Sequence, residues 1–243
     1  MKRYILSISI LILGLYSCQY ETHRLNNFAV HGLDVSHYQS KITWDTVAQQ
    51  SIHFAFVKAT EGEFYVDSLF CHNWSEIQRV GMKRGAYHFF RPTLTAETQF
   101  ANFARMVQLQ PGDMPPVLDV EVIDDASKVE LITKVRTWLY LAEIRYRIKP
   151  ILYSNQKFYN RYLAGHFDDY PVWIARYNTQ QPDLAYERAW HFWQYGNRGR
   201  VKGVEGFVDF NVFEGTLADL EKMCWTPAHA LLAPPMTEDV AMR

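Results

Sequence analysis

The sequence predicts an α/β fold, a single irregular (β/α)8-type barrel with some helices short or missing. Eight short apolar runs of strand character recur along the chain, and most are separated by segments with helical spacing. A parallel sheet needs such crossover helices, and eight strands close it without leaving an edge. The chain is 243 residues long and no Gly/Ser/Pro-rich linker divides it, so the elements belong to one domain, expected over residues 28–225.

In order, Phe28–Ser36 reads as a first strand with Asp34 near its C-terminal end, and Trp44–Gln50 as a short helix. Ile52–Lys58 is a second apolar strand, closed by a loop at Ala59–Gly62. A helix is expected over Asp67–Val80 from the spacing of Leu69, Phe70, Trp74 and Ile77, ending at Gly81, a residue suited to a left-handed cap. Arg84–Phe90 is the third strand, and Thr95 caps a helix running through Phe100, Phe103 and Val107. The fourth strand, Pro115–Val122, carries Asp119 and Glu121. The longest helix, Ser127–Ile148, presents Val129, Ile132, Val135, Leu139 and Ala142 as an apolar stripe. Pro150–Ser154, Pro171–Ala175, Trp190–Tyr195 and Phe207–Phe213 complete the eight, with Gly196–Gly206 a loop and a last helix from about Thr216.

The ends of the chain read differently. Met1-Lys2-Arg3, an apolar run from Tyr4 to Tyr16 and the ending Leu15-Tyr16-Ser17-Cys18 form a lipoprotein-type signal sequence over residues 1–18. The run is shorter than the ~20 residues of a spanning helix. Its ending resembles a bacterial lipobox, which makes Cys18 the lipid-bearing residue of a membrane-anchored envelope protein; a plainly cleaved signal and secretion is the alternative. Residues 19–27 read as a tether and 226–243 as a disordered tail.

Lys plus Arg (25) nearly balances Asp plus Glu (26), so no global field recruits nucleic acid. Aromatic residues make up 15%, with seven Trp and fifteen Tyr, enough to supply platforms for the CH faces of sugars as well as a core. Cys71 and Cys224 are expected as two buried thiols, and no His/Cys cluster has zinc spacing, so neither a metal nor another cofactor is implied.

The chemistry is centred on Asp119 and Glu121. Two residues apart on a strand, they share a face, and two acids on one face of a buried run repel and resist desolvation, which keeps one protonated. In a closed barrel strands one and eight are neighbours and strand four lies across, so Asp34 and Asp209 should confront this pair over the mouth, each at or near a C-terminal strand end. One protonated acid facing carboxylates is what glycoside hydrolysis needs. Tyr38, Tyr87, Tyr153, Trp173, Trp193 and Tyr195 fall at or beside strand ends and are candidate sugar contacts, whereas His37 and His88 read as packed residues. We expect Glu121 to be the protonated general acid, Asp119 to hold the charge, and Asp34 and Asp209 to stay ionised.

His31–Gln39, Lys58-Ala59-Thr60-Glu61-Gly62, Gly85–Phe90, Leu118-Asp119-Val120-Glu121, Trp173–Tyr177, Trp193-Gln194-Tyr195 and Val208–Phe213 together resemble the glycoside hydrolase family 25 lysozymes, the Chalaropsis-type muramidases. The resemblance spans about residues 30 to 215. It implies cleavage of the β-1,4 bond between N-acetylmuramic acid and N-acetylglucosamine in peptidoglycan glycan strands, with Glu121 as proton donor and Asp34, Asp119 and Asp209 as the other acids; separately, a monomer is expected. The alternatives are hydrolysis of another N-acetylhexosamine polymer such as chitin, and a non-catalytic envelope glycan-binding barrel. Attack at the anomeric carbon is open to a carboxylate, to an activated water or to the sugar's own acetamido group, the last with Asp119 or Asp209 as the orienting base.

Overall fold

The computed structural model describes residues 22–231. Its strands are β1 (Val30–Val35), β2 (Phe54–Glu61), β3 (Tyr65–Val66), β4 (Lys83–Phe89), β5 (Val117–Asp119), β6 (Ile151–Asn155), β7 (Val172–Ala175), β8 (Phe192–Gly199) and β9 (Val208–Phe213). All eight expected strands form, and they close because β1 pairs with both β2 and β9. The two-residue β3, unmarked in the sequence, pairs with Thr60 and Glu61 beyond the point where β1 leaves the edge of β2.

The barrel is mixed. The other seven barrel strands run parallel, but β9 is antiparallel to both β1 and β8. A parallel crossover needs a dozen or more residues, whereas the short segment between Gly199 and Val208 suffices only for a hairpin. Part of the stretch expected as loop, up to Gly199, is still β8.

Alternation along the strands builds two cores. Val30, Phe54, Phe56, Val117, Ile151, Phe192 and Phe213 fill the barrel interior. Gly32 and Gly85 are there because a Cβ would strike the Phe54 and Phe56 rings. Leu33, Ala55, Val57, Leu118 and Ile174 point outward beneath the helices. These are α1 (Trp44–Ala48), α2 (Phe70–Arg79), α3 (Ala96–Met106), α4 (Lys128–Tyr146), α5 (Gln156–Phe158, continued by a π-helical turn, Tyr159–Leu163), α6 (Leu217–Met223) and α7 (Pro227–Leu231). Thr95 caps α3 and Ser127 closes a capping box with Glu130 on α4. No regular helix joins β7 to β8, as the irregular barrel implied.

Both ends of the described chain are more ordered than expected. From Thr22 the supposed tether lies on the barrel: Thr22 N–H donates to the Arg198 carbonyl at 3.0 Å, the Arg24 guanidinium bonds the Gln50 carbonyl, and Phe28 packs against Trp190 and Trp193. These contacts join residues far apart in the sequence and no local pattern announces them. At the other end, residues 227–231 form α7 where a structureless tail was expected. The signal sequence and Cys18 lie outside the described residues. Both remaining cysteines are free; Cys224 is buried, but Cys71, expected to be buried, is exposed because it falls on the outer face of α2.

Candidate active site

The four carboxylates meet at one rim. Asp34 lies near the C-terminal end of β1 and is in register with Asp209 of β9. Asp209 was expected at a C-terminal strand end; because β9 runs the other way, it sits at the start of its strand and still reaches the same rim. Asp119 is the last residue of β5, and Glu121 lies beyond that strand. The backbone stays extended there, since Val120 N–H donates to the Tyr153 carbonyl at 2.9 Å and Ser154 Oγ donates to the Val120 carbonyl at 2.6 Å. Alternation therefore persists past the strand, and Asp119 and Glu121 face one cavity of about 260 Å3 together with Asp34 and Asp209.

Asp34 is held by two amides. Its Oδ2 accepts from Asn211 Nδ2 at 2.7 Å and from Gln194 Nε2 at 2.8 Å. The oxygens of those amides are themselves occupied: Gln194 Oε1 accepts from the Tyr153 hydroxyl at 2.9 Å and the Tyr177 hydroxyl at 3.1 Å, and Asn211 Oδ1 accepts from Trp173 Nε1 at 2.8 Å. Three aromatic side chains thus fix which end of each amide points at the carboxylate.

Burial pushes the Asp34 carboxyl up, but hydrogen bonds from Asn211, Gln194 and Asp209 limit the rise to about 6. Asp209 is pushed up to about 9 by burial, by the charge on Asp34 and by the hydrogen bond between them. Near neutral pH Asp34 is ionised and Asp209 keeps its proton, so the expectation that both stay ionised is corrected. Two acids in register across a partly desolvated rim do not both ionise. Burial, followed by the charges of Glu121 and Asp34 and opposed by Lys58, holds Asp119 well above the carboxylate range; Glu121 is raised by burial and by Asp34, again against Lys58. The expected division, with Asp119 charged and Glu121 neutral, does not describe the free site, because the residue at the strand end is the more deeply buried. Asp119 Oδ1 is also buried without a hydrogen-bond partner among the described residues.

A carboxyl group whose pKa is raised on folding costs stability once it is driven to ionise. Between the unfolded value and about 9, the native state holds a proton at Asp209 that the unfolded chain has lost, so this contribution falls as pH rises. Asp209→Asn removes the titration. Its melting midpoint is expected to exceed the parent's by an amount that grows from pH 5 to pH 8; a difference independent of pH would show that Asp209 is not protonated in the fold.

Tyr38, Tyr87, Tyr153 and Trp173 line the cavity as expected. Trp193 and Tyr195 do not. Gln194 points into the site, so its neighbours point out: Trp193 packs against Phe28 and Trp190 and donates to the Arg176 carbonyl at 2.9 Å, and Tyr195 packs against Phe210. The same alternation, counted from Asp209, could have found Asn211; for Trp193-Gln194-Tyr195 it separates two faces without saying which is inward. Lys58 and Tyr177 continue the same alternation, Lys58 two residues after the inward Phe56 and Tyr177 four after the expected Trp173, and were missed; Lys58 reaches the cavity while bonded to Glu61 at 2.7 Å. His88 is buried between Thr60 and Gln99 and pushed down to about 4, a neutral packed residue.

This rim belongs to a known kind of protein. Residues 33–204 match the family model for glycosyl hydrolases family 25. The chain belongs to that family. It is a glycoside hydrolase, and the irregular barrel is the family 25 fold: a family 25 glycosyl hydrolase from Bacillus anthracis superposes with a TM-score of 0.80 at 34% identity, over 85% of this chain and 98% of the other. Among curated family 25 relatives, lysozyme M1 of Streptomyces globisporus is 34% identical over 205 residues, 79% of this chain and 70% of its own. The protein YegX of Escherichia coli strain K12 is 44% identical over 200 residues, 80% of this chain and 73% of its own.

Proposed function

We propose that this family 25 hydrolase is a lysozyme that cleaves the β-1,4 bond between N-acetylmuramic acid and N-acetylglucosamine in peptidoglycan, with Glu121 as general acid. The observation that carries the reading is the cavity in which Glu121 and Asp119 face Asp34 and Asp209, with Asp119 Oδ1 buried and unpartnered. A buried acceptor without a donor costs stability, and a substrate N–H would repay it. The 2-acetamido group of the sugar supplies that N–H. Donating to Asp119 would favour its ionised form, and the paired charge would then keep the proton on Glu121.

The steps follow. The acetamido oxygen attacks the anomeric carbon as the glycosidic C–O bond breaks, and Glu121 gives its proton to the departing oxygen. Asp119 balances the positive charge on the cyclised acetamido group, and Asp34, anchored by Asn211 and Gln194, offsets charge from the other side. The Glu121 carboxylate then takes a proton from water, which reopens the ring with retention. Mass spectrometry of products from purified peptidoglycan tests the substrate: muramic acid at every new reducing end is expected. New N-acetylglucosamine ends, or cleavage of chitin oligomers alone, would overturn it.

The sequence Leu15-Tyr16-Ser17-Cys18 supports a second proposal, that Cys18 is lipidated and anchors the enzyme in a bacterial envelope. One acyl chain holds a protein only marginally, so the multiply acylated form would be needed. Cys18→Ala is expected to move the protein from the membrane to the soluble fraction; a variant that stays with membranes would refute the anchor.

A further inference from the structure

A second cavity, of about 690 Å3, adjoins the catalytic one, and Glu121 and Tyr177 line both. It opens on the β6–β7 side of the rim, between the start of α5 and the segment after β7, and its charge is opposite to that of the catalytic cavity. Lys157 is exposed there with no side-chain hydrogen bond or ion pair among the described residues. Among the described residues Arg176 bonds only neutral acceptors, the Gln181 carbonyl at 2.5 Å and Gln180 Oε1 at 3.1 Å, so its charge is fixed in place and uncompensated by them. The side-chain amides of Asn155 and Asn178 line the same walls, and the one acid on them, Glu121, is raised toward its neutral form.

We propose that this side cavity is a subsite for the acidic stem peptide carried by the muramyl residue, so that the enzyme selects peptide-bearing glycan over bare glycan. The inference rests on the lysozyme reading above. The muramyl sugar whose anomeric carbon lies over the carboxylates must send its O3 substituent out of the smaller cavity, and the wall formed by Glu121 and Tyr177 is where the two spaces join. A three-carbon lactyl group fills only a small part of 690 Å3, a volume in the ordinary range for ligand sites. A peptide with free carboxylates fills it, meets Lys157 and Arg176 as counter-charges, and finds amide partners for its backbone.

The test compares kcat/KM on purified glycan strands that keep their stem peptides with kcat/KM on the same strands after an amidase has removed them, which leaves the lactyl carboxylate. The parent is expected to prefer the peptide-bearing strands. Lys157→Ala should lower the ratio of the two values about tenfold, and Lys157→Arg should restore it. A ratio that Lys157→Ala leaves unchanged would overturn the subsite, and a ratio that rises would assign the lysine to the lactyl carboxylate instead. Cleavage of neither substrate by the parent would count against the lysozyme reading itself.

Discussion

Glu121→Gln is expected to lower turnover on peptidoglycan by about 10²–10⁴-fold while the fold survives, the range a positioned general acid contributes. The glutamine keeps the shape of the side chain and its place between the two cavities but has no proton to give to the departing oxygen. A substrate whose leaving group needs no proton separates this role from a structural one. On an aryl glycoside of the same N-acetylated sugar the variant should recover much of the parent's rate of bond cleavage; an equal loss on both substrates would remove Glu121 from the acid's role. The pH profile gives a further check. Activity requires the protonated form of Glu121, whose pKa burial and Asp34 raise, and an ionised partner, so the parent's profile is bell-shaped with an acidic to near-neutral optimum. Its alkaline limb should be absent from the variant's residual activity on the aryl substrate.

The second large effect belongs to Asp119. Asp119→Asn leaves an oxygen that accepts the acetamido N–H but removes the negative charge that balances the cyclised intermediate, a loss of about 10²–10³-fold by comparison with other preorganised electrostatic groups. The variant should be no less stable than the parent, because a carboxyl held well above its usual range by burial is replaced by a neutral isostere. Proton NMR of the first-formed product checks the route: the β anomer is expected from the parent. An initial α anomer would refute retention, and a glycosyl ester trapped on Asp34, Asp119 or Asp209 would replace the acetamido route with a covalent one. If Asp119→Asn turned over at nearly the parental rate, the negative charge assigned to Asp119 would have no catalytic meaning.

Much of this was determined by sequence alone, because it depends on period. Eight apolar runs with intervening helical patterns are local signals, and Ser127 and Thr95 announce the helices they cap. The two-residue spacing of Asp119 and Glu121 places both on one face whether or not the second lies within a strand. What the sequence could not carry was direction, reach and proton count. The reversal of β9 follows from the short connection before it, yet it decides that Asp209 arrives from the start of its strand and pairs with Asp34. Trp193 and Tyr195 belong to the outer core and Gln194 to the site because closure fixes which face is inward, and residues 22–28 pack against partners far along the chain. The protonation of Asp209 is furthest from the sequence: it exists only because two strands distant in the chain pair with two acids in register at a buried rim, whose low dielectric allows one charge and not two.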